Sequence, residues 1–450
     1  MILSETFNFS NVAFIFLLIL GFGFFAYNIR KIRSNIKLGK PLDRFDNWPQ
    51  RLKTTLLVAF GQKKMFQRFL PAIFHLFIYV AFLFTSTELI EIIVDGITGD
   101  HRFFYDKLGW VYTLLINTIE ILSVLAFVAT LVFLIRRNLL KVPRFQMSEM
   151  KGWPKLDGNI ILYLEILLLL CVFTMNGADE VLYNLGESHA SDLKNSFGFL
   201  VSSHLGPFVF GSFDLEQLHL FERIGWWGHI LVVFGFLNYL PYSKHFHIIM
   251  AFPNTYFSNL ENKGRLTNLS SVKEEVSKMF DPNFDPYAIP ADGEEQAPER
   301  FGAKDVEDLT WKNLMDAYSC TECGRCSAAC PASQTGKKLS PRKIMMDTRD
   351  RMEELGEAKR KNGKDFVDNK SLLGDYISEE EIWACTSCNA CVQECPVNID
   401  PLSIIIDLRR YAVMEESKVP SELAGMLTNI ENNGAPWQFA QADRLNWAKE

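Results

Sequence analysis

Eight of the nine cysteines fall in two runs of identical spacing. One is Cys320-Thr-Glu-Cys323-Gly-Arg-Cys326-Ser-Ala-Ala-Cys330-Pro331, the other Cys385-Thr-Ser-Cys388-Asn-Ala-Cys391-Val-Gln-Glu-Cys395-Pro396. Three thiolates two residues apart can wrap a loop round one face of an iron–sulfur cubane. A fourth, placed just before proline, reaches across to a neighbouring cluster. The spacing therefore predicts two [4Fe–4S] clusters with crossed ligation: Cys320, Cys323, Cys326 and Cys395 for one, Cys385, Cys388, Cys391 and Cys330 for the other. Structural zinc also uses C-x₂-C pairs, but it needs no third Cys at this spacing and no Pro after each fourth Cys. Eight clustered thiols in a long chain indicate metal rather than disulfides. The ninth, Cys171, stands alone in a Leu-rich run and reads as a small core residue.

The flanks repeat as well. Leu339-Ser340-Pro341 before Ile344 and Arg349 parallels Asp400-Pro401 before Ile404 and Arg409. This is the pattern of a duplicated cluster–helix unit, its halves separated by a charged, helical insert between Asp347 and Glu381.

Histidines in apolar runs form the second set of candidates. A spanning helix needs about 20 mostly apolar residues, and five stretches qualify: Thr6–Ile29, Phe69–Thr87 running on to Val94, Leu108–Ile135, Gly158–Ala178 and Ile224–Pro253. His75 and His229 lie within spans, and His245 and His247 lie near the inner end of the fifth. Intramembrane histidine is costly and marks function by default. On one continuous helix at ~100° per residue, His229 and His247 share a face about 27 Å apart, whereas His245 points ~160° away. His75 lies at the depth of His247. Haem iron takes axial imidazoles from facing helices, so His75 and His247 are the expected ligands of a haem b, and His229 is the candidate ligand of a second. The outward positions on the His75 face, Phe82 and Ser86, cannot ligate iron, and His101, His204 and His219 are loop or helix-end residues. One haem or two both remain open at this level. Glu120 and Glu165 also stand in apolar runs, with Glu88 and Glu91 near the outer end of the second span. They are either neutral, hydrogen-bonded packing groups or part of a proton or quinone route.

Basic residues set the orientation. Arg30, Lys31, Arg33, Lys37, Lys40, Arg44, Arg51, Lys53, Lys63, Lys64 and Arg68 crowd the first loop, and the second holds only Arg102 and Lys107. Arg136, Arg137, Lys141, Arg144, Lys151 and Lys155 mark the inner side again, and the loop after Asp179 is nearly free of Lys and Arg. The expectation is an amino terminus outside and a cysteine-bearing domain in the cytoplasm of a bacterial inner membrane. The first span follows no basic stretch and so does not read as a cleavable signal. Mean hydropathy of only +0.04 averages an apolar first half and a charged second half. A net charge of −7, with no basic stripe interleaved by aromatics, excludes a nucleic-acid partner.

The cysteine motifs, with the helix opened by Ser340-Pro341-Arg342-Lys343-Ile344, resemble the ferredoxin domain of the heterodisulfide reductase family, which glycerol-3-phosphate and succinate dehydrogenase iron–sulfur subunits share. The first half resembles the gamma subunit of respiratory nitrate reductase, whose second and fifth helices hold two haems b. His75, His229, His247 and the basic Lys244 match that pattern, and the fourth ligand position is Thr85 here. The combination is similar to membrane electron-transfer-flavoprotein:menaquinone oxidoreductases and membrane-bound heterodisulfide reductases. In those relatives cysteine-rich CCG modules follow the ferredoxin domain. No cysteine follows Cys395 in this chain, so the resemblance implies a separate CCG partner subunit.

The expected fold is mainly α: a five-helix transmembrane bundle (1–253), an extended linker (254–308), a cytoplasmic α-helical two-cluster ferredoxin domain (309–412) and a partner-docking tail (413–450). The expected function is electron transfer, with no catalytic nucleophile or general base. Electrons would pass between a cytoplasmic donor (an electron-transfer flavoprotein or the CCG protein), the two clusters, haem b and menaquinone in the bilayer. The rival is an electron-supplying subunit of a heterodisulfide or thiol reductase. A purely structural anchor is disfavoured, because anchoring needs no perfectly spaced thiolates.

Overall fold

The computed structural model describes residues 9–100, 102–187, 199–262, 264–282 and 300–449. The start of the first span, His101, part of the loop after Asp179 and nearly all of the run 291–300 lie outside the described residues. Within them the chain is helical, with only two isolated bridges, Lys40 to Thr310 and Leu373 to Ile377. Five helices are long and apolar enough to cross a membrane: Phe9–Ile36, Phe69–Thr98, Trp110–Asn138, Trp153–Asn184 and Leu215–Tyr239, hereafter spans one to five. Helices suit this role because they satisfy every backbone hydrogen bond internally.

The chain divides into two compact units. The first comprises Met1–Arg33, Thr55–Phe252 and Thr321–Cys323, and the second Ser34–Thr54, Pro253–Cys320 and Gly324–Glu450.

In the first unit, small residues let helices approach backbone to backbone, as membrane packing favours. A Cβ on Gly225 of span five would stand 2.5 Å from the Met175 amide nitrogen of span four. One on Gly206 would stand 2.4 Å from the Gly177 carbonyl. Phe14, Ile92, Met175, Trp226, Ile230 and Phe234, from spans one, two, four and five, form a shared buried cluster, and Gly96 leaves room for the Phe14 ring. Cys171 packs under Gly228, whose added Cβ would lie 3.0 Å from its sulfur.

Span five departs from expectation. It ends at Tyr239 rather than running to Pro253, and two short 3₁₀ turns, Leu240–Tyr242 and Lys244–Phe246, precede a new helix at His247–Tyr256. Pro241 lacks the N–H that would continue the ladder. Asp157 of span four pins the turn that follows: it accepts from Tyr239 Oη at 2.5 Å, Ser243 Oγ at 2.7 Å and the Lys244 amide at 3.1 Å.

In the second unit, helices Trp311–Ser319, Pro341–Asn362 and Pro401–Met414 enclose a core that includes Leu314, Ile344, Met352, Ile404, Ile405 and Leu408. The duplication is visible at the caps. Ser340 accepts from the Lys343 amide with Pro341 at the first helical position, and Asp400 accepts from the Ser403 amide with Pro401 likewise. Buried Arg351 bridges Asp305 at 2.6 Å and Asp368 at 2.7 Å. The loop after span one is woven into this unit: Lys40 exchanges backbone bonds with Leu309 and Trp311, Asn35 donates to Tyr318 Oη at 2.8 Å, and Arg51 donates to the Ser258 carbonyl at 3.0 Å. Between 254 and 308, where the sequence predicts an extended arm, the described residues include a helix at Ser270–Met279.

Gly225→Ala should force spans four and five apart, because its Cβ meets backbone that cannot rotate away. A loss of about 1–3 kcal/mol is expected, as for overpacked cores, read as a lower Tm in detergent. Gly235→Ala, which meets nothing within 4 Å, is the matched control. Equal melting of the two variants would contradict the close crossing.

Candidate functional site

The two cysteine loops have the same backbone. Glu322 (φ 53°) and Gly324 (φ 70°) in the first correspond in register to Ser387 (φ 56°) and Asn389 (φ 60°) in the second. Left-handed residues on both sides of the second cysteine turn successive amides inward, the geometry of an anion-binding nest. One such amide reaches sulfur, Ser387 N–H donating to Cys385 Sγ at 3.4 Å, and beyond the second loop Ile399 N–H donates to Cys395 Sγ at 3.3 Å. Hydrogen bonds to cluster sulfurs are among the levers that set reduction potential. Gly324 and Asn389 are residue types that adopt positive φ readily, so the conformational cost falls on Glu322 and Ser387.

Cys320, Cys330, Cys391 and Cys395 are buried, Cys323, Cys326 and Cys385 are partly so, and Cys388 is exposed. Burial pushes the Cys385 thiol up; the Ser387 amide and Arg409 oppose this, and Cys330 and Cys388 add to it. Burial raises Cys391 much further, with Asp400, Cys385 and Cys330 adding to the effect. Cys330 of the first run is thus an electrostatic neighbour of both Cys385 and Cys391. Helices Arg325–Ala329 and Ala390–Glu394, each leading into a fourth cysteine, pack together. Thiols this buried and crowded would ionise only against positive charge of the kind bound iron supplies, so the donor set fits an iron–sulfur cluster. Among the described residues no group of three or more His, Cys, Asp or Glu is disposed to hold a single metal ion.

Arg409, legible in the sequence only as a member of the repeat, supports the second loop. Its Nε donates to the Ile382 carbonyl at 2.8 Å, its Nη2 donates to the Cys385 carbonyl, and its guanidinium lies 5.0 Å from the Trp383 ring.

In the first unit the histidines are arranged differently from the helical projection. Because span five stops at Tyr239, His229 and His247 do not share one helix, and the predicted common face does not exist. Nor do His245 and His247 point apart: their ring centroids are 5.5 Å apart, and His245 stacks on Phe236 at 4.9 Å. His75 is a further electrostatic neighbour of His245. The structure therefore gathers His75, His245 and His247 and leaves His229 buried elsewhere in span five, its Nδ1 without a partner among the described residues. His75 Nδ1 lies 3.2 Å from Gln62 Oε1, and His247 Nδ1 is 3.1 Å from the Lys244 carbonyl, to which it can donate. An imidazole anchored through Nδ1 presents Nε2 to a metal, the usual arrangement for ligating histidine. Lys244 is itself held, through Nζ, by the Pro154 carbonyl at 2.6 Å and by Glu322 at 2.5 Å, all within this unit. Pro241 was the sequence signal for this turn.

Of the intramembrane carboxyls, Glu91 and Glu120 are hydrogen-bonded supports. Glu91 accepts from Tyr112 Oη at 2.7 Å and from the Phe104 amide at 3.0 Å. Glu120 accepts from the Val201 amide at 2.8 Å and from Ser202 Oγ at the start of helix Ser202–Phe210.

Residues 295–399 match the family model described as a 4Fe-4S dicluster domain. The chain is 29% identical to the Bacillus subtilis (strain 168) protein named "Probable iron-sulfur-binding oxidoreductase FadF", over 97% of this chain and 61% of that one. It is 27% identical to the "EtfAB:quinone oxidoreductase" of Syntrophomonas wolfei, over 91% of this chain and 55% of that one. The chain is a relative of these iron–sulfur oxidoreductases. It spans a little more than half the length of each. Over 107 residues it is 34% identical to one component of the ferredoxin/F(420)H(2)-dependent CoB-CoM heterodisulfide reductase of Methanosarcina acetivorans, covering 24% of this chain and 52% of that one. No solved structure matches.

Replacing Cys330 by Ser should damage the cluster nucleated by Cys385, although Cys330 belongs to the other run. Electron paramagnetic resonance of the dithionite-reduced protein, with iron and sulfide analysis against about eight of each for two cubanes, reads this directly. Selective loss of the Cys320 cluster instead would refute crossed ligation.

Proposed function

We propose that this chain is a membrane electron conduit. In it, residues 309–412 carry two [4Fe–4S] clusters, ligated by Cys320, Cys323, Cys326 and Cys395 and by Cys385, Cys388, Cys391 and Cys330. The spanning bundle, 1–253, hands electrons to or takes them from menaquinone. The single observation that carries the reading is the pair of matched left-handed cysteine loops with Cys330 set beside the thiols of the second run. Relatives named as an EtfAB:quinone oxidoreductase and as heterodisulfide reductase subunits support it. The natural electron source would be a reduced flavoprotein or a CCG-type iron–sulfur protein docked at 413–450. The cysteine-bearing domain would face the cytoplasm of a bacterial inner membrane, in keeping with the basic first loop and the five spans among the described residues.

His75 and His247 would hold one haem b through Nε2, with their Nδ1 atoms anchored as described. Haem supplies one-electron carriage when bound. The contribution of the chain is to fix the two imidazoles, to exclude water around them and to set their basicity through Gln62 and the Lys244 carbonyl. Thr85, which stands where the nitrate-reductase-like pattern has its fourth ligand, weighs against a second haem at His229.

A second reading, electron supply to a disulfide or thiol reductase, rests on the similarity to the Methanosarcina heterodisulfide reductase components. The two separate on the acceptor: reduced flavoprotein should drive naphthoquinone reduction by the purified complex, and failure of that assay alongside disulfide reduction would reverse the choice.

Haem ligation predicts that His75→Ala and His247→Ala each abolish the same b-type absorbance, since no neighbour replaces a lost iron ligand. His229→Ala should retain it. His245→Ala should keep the haem with an altered spectrum, because the ring packs beside His247. Retention of haem in His247→Ala with loss in His245→Ala would overturn the assignment.

A further inference from the structure

The bundle contains a buried ionisable group that the metal centres do not use. Glu88, Glu91 and Asp95 come from span two, Tyr112 and Glu120 from span three, and Asp179 and Glu180 from span four. Arg102 comes from the loop after span two, and all eight side chains are buried. Most of their polar atoms are committed to structure. Asp95 accepts from the Arg102 and Phe103 amides at 2.9 and 3.0 Å, and Arg102 pairs with Asp179 at 3.0 Å and donates to Tyr112 Oη at 3.2 Å. Glu91 and Glu120 are satisfied as described above.

Two oxygens are left over. Glu88 Oε1 and Glu180 Oε2 are buried with no partner among the described residues. Glu88 faces Arg102, Glu91 and Glu120, while Glu180 faces Asp179, Glu120 and Arg102 and accepts from Asn184. Among the described residues, six carboxyls thus share one guanidinium. An unpaired buried carboxylate is strongly disfavoured, and adjacent buried carboxyls avoid that penalty by keeping a proton.

We propose that Glu88 and Glu180 form a proton-exchange site, which holds a proton at neutral pH and passes it to or from the quinone handled by this bundle. The second half of the proposal rests on the quinone reading. Each quinone reduced takes two electrons from the iron centres and two protons, its two C=O groups becoming C–OH. The carboxylic acid releases its proton, becomes carboxylate and is reprotonated from the aqueous phase; quinol oxidation runs the same steps in reverse.

The test uses the full-length protein with its centres in place. Infrared spectra at neutral pH should show a carboxylic-acid C=O band that shifts in D₂O and loses intensity in Glu88→Gln and in Glu180→Gln. With a soluble naphthoquinol as donor, cluster reduction should fall about a hundredfold in Glu88→Gln and lose its pH dependence. Dithionite reduction and metal content should be unchanged, and Glu88→Asp should restore part of the rate. A band unchanged in both Gln variants overturns the proton site, and a lost band with an unchanged naphthoquinol rate overturns the exchange role. If the wild-type protein transfers no electrons from naphthoquinol, the quinone reading fails and the exchange role fails with it, while the infrared comparison still decides whether a proton is held. Should Glu88→Gln not fold, Glu180→Gln carries both measurements.

Discussion

A helix that stops inside an apolar segment frees backbone groups that lipid cannot satisfy, and something in the protein must take them up. At the end of span five Asp157 takes up one of them, the Lys244 amide, and its carboxylate also receives Tyr239 Oη and Ser243 Oγ, which pins the turn. With the break held in this way, the chain turns through Lys244–Phe246 and brings the His245 and His247 rings side by side. On an unbroken helix His245 would instead lie well round the barrel from His247. The local geometry of the histidine group therefore depends on one buried carboxylate on a neighbouring span. A charge at such a site is tolerable because it is fully hydrogen-bonded and has Lys244 Nζ 3.7 Å away.

The cysteine loops obey a different constraint. Four thiolates can surround a compact cluster only if the backbone curls tightly between them, and the curl requires left-handed residues at Glu322, Gly324, Ser387 and Asn389. The same curl turns the Ser387 amide hydrogen toward sulfur, so the conformation that places the ligands also supplies part of the field around them. The strain is sustained by the capped helices at Ser340 and Asp400 and by Arg409, which ties the second loop to the helix carrying it.

Charge in the second unit is used for cohesion. Arg351 joins Asp305 and Asp368, segments far apart in sequence, and Arg51 gathers the Tyr256 and Ser258 carbonyls with Asp46. The basic loop after span one, read from composition as a topological signal, is also a structural component of this unit. Both roles are compatible: Lys37 and Lys53 keep charge available on its surface, while the Lys40 backbone and Arg51 are turned inward.

What the residues alone determined is what short-range spacing can encode. The C-x₂-C-x₂-C-x₃-C-P runs, the Ser340-Pro341 and Asp400-Pro401 caps and the first four apolar stretches are each properties of a few consecutive residues, and each corresponds to a loop, a cap or a helix in the structure. His75 and His247 were legible for the same reason, as polar groups in or near apolar runs. Tertiary structure alone decided the rest. A projection at 100° per residue assumes an unbroken helix; Pro241 marked where that assumption fails, but which way the chain turned depended on Asp157, more than eighty residues earlier. The union of Ser34–Thr54 with the second unit and the convergence of Glu88, Glu120 and Glu180 from three spans are likewise long-range. Burial and partner choice depend on which elements meet, and the separation of two residues along the chain carries no information about that.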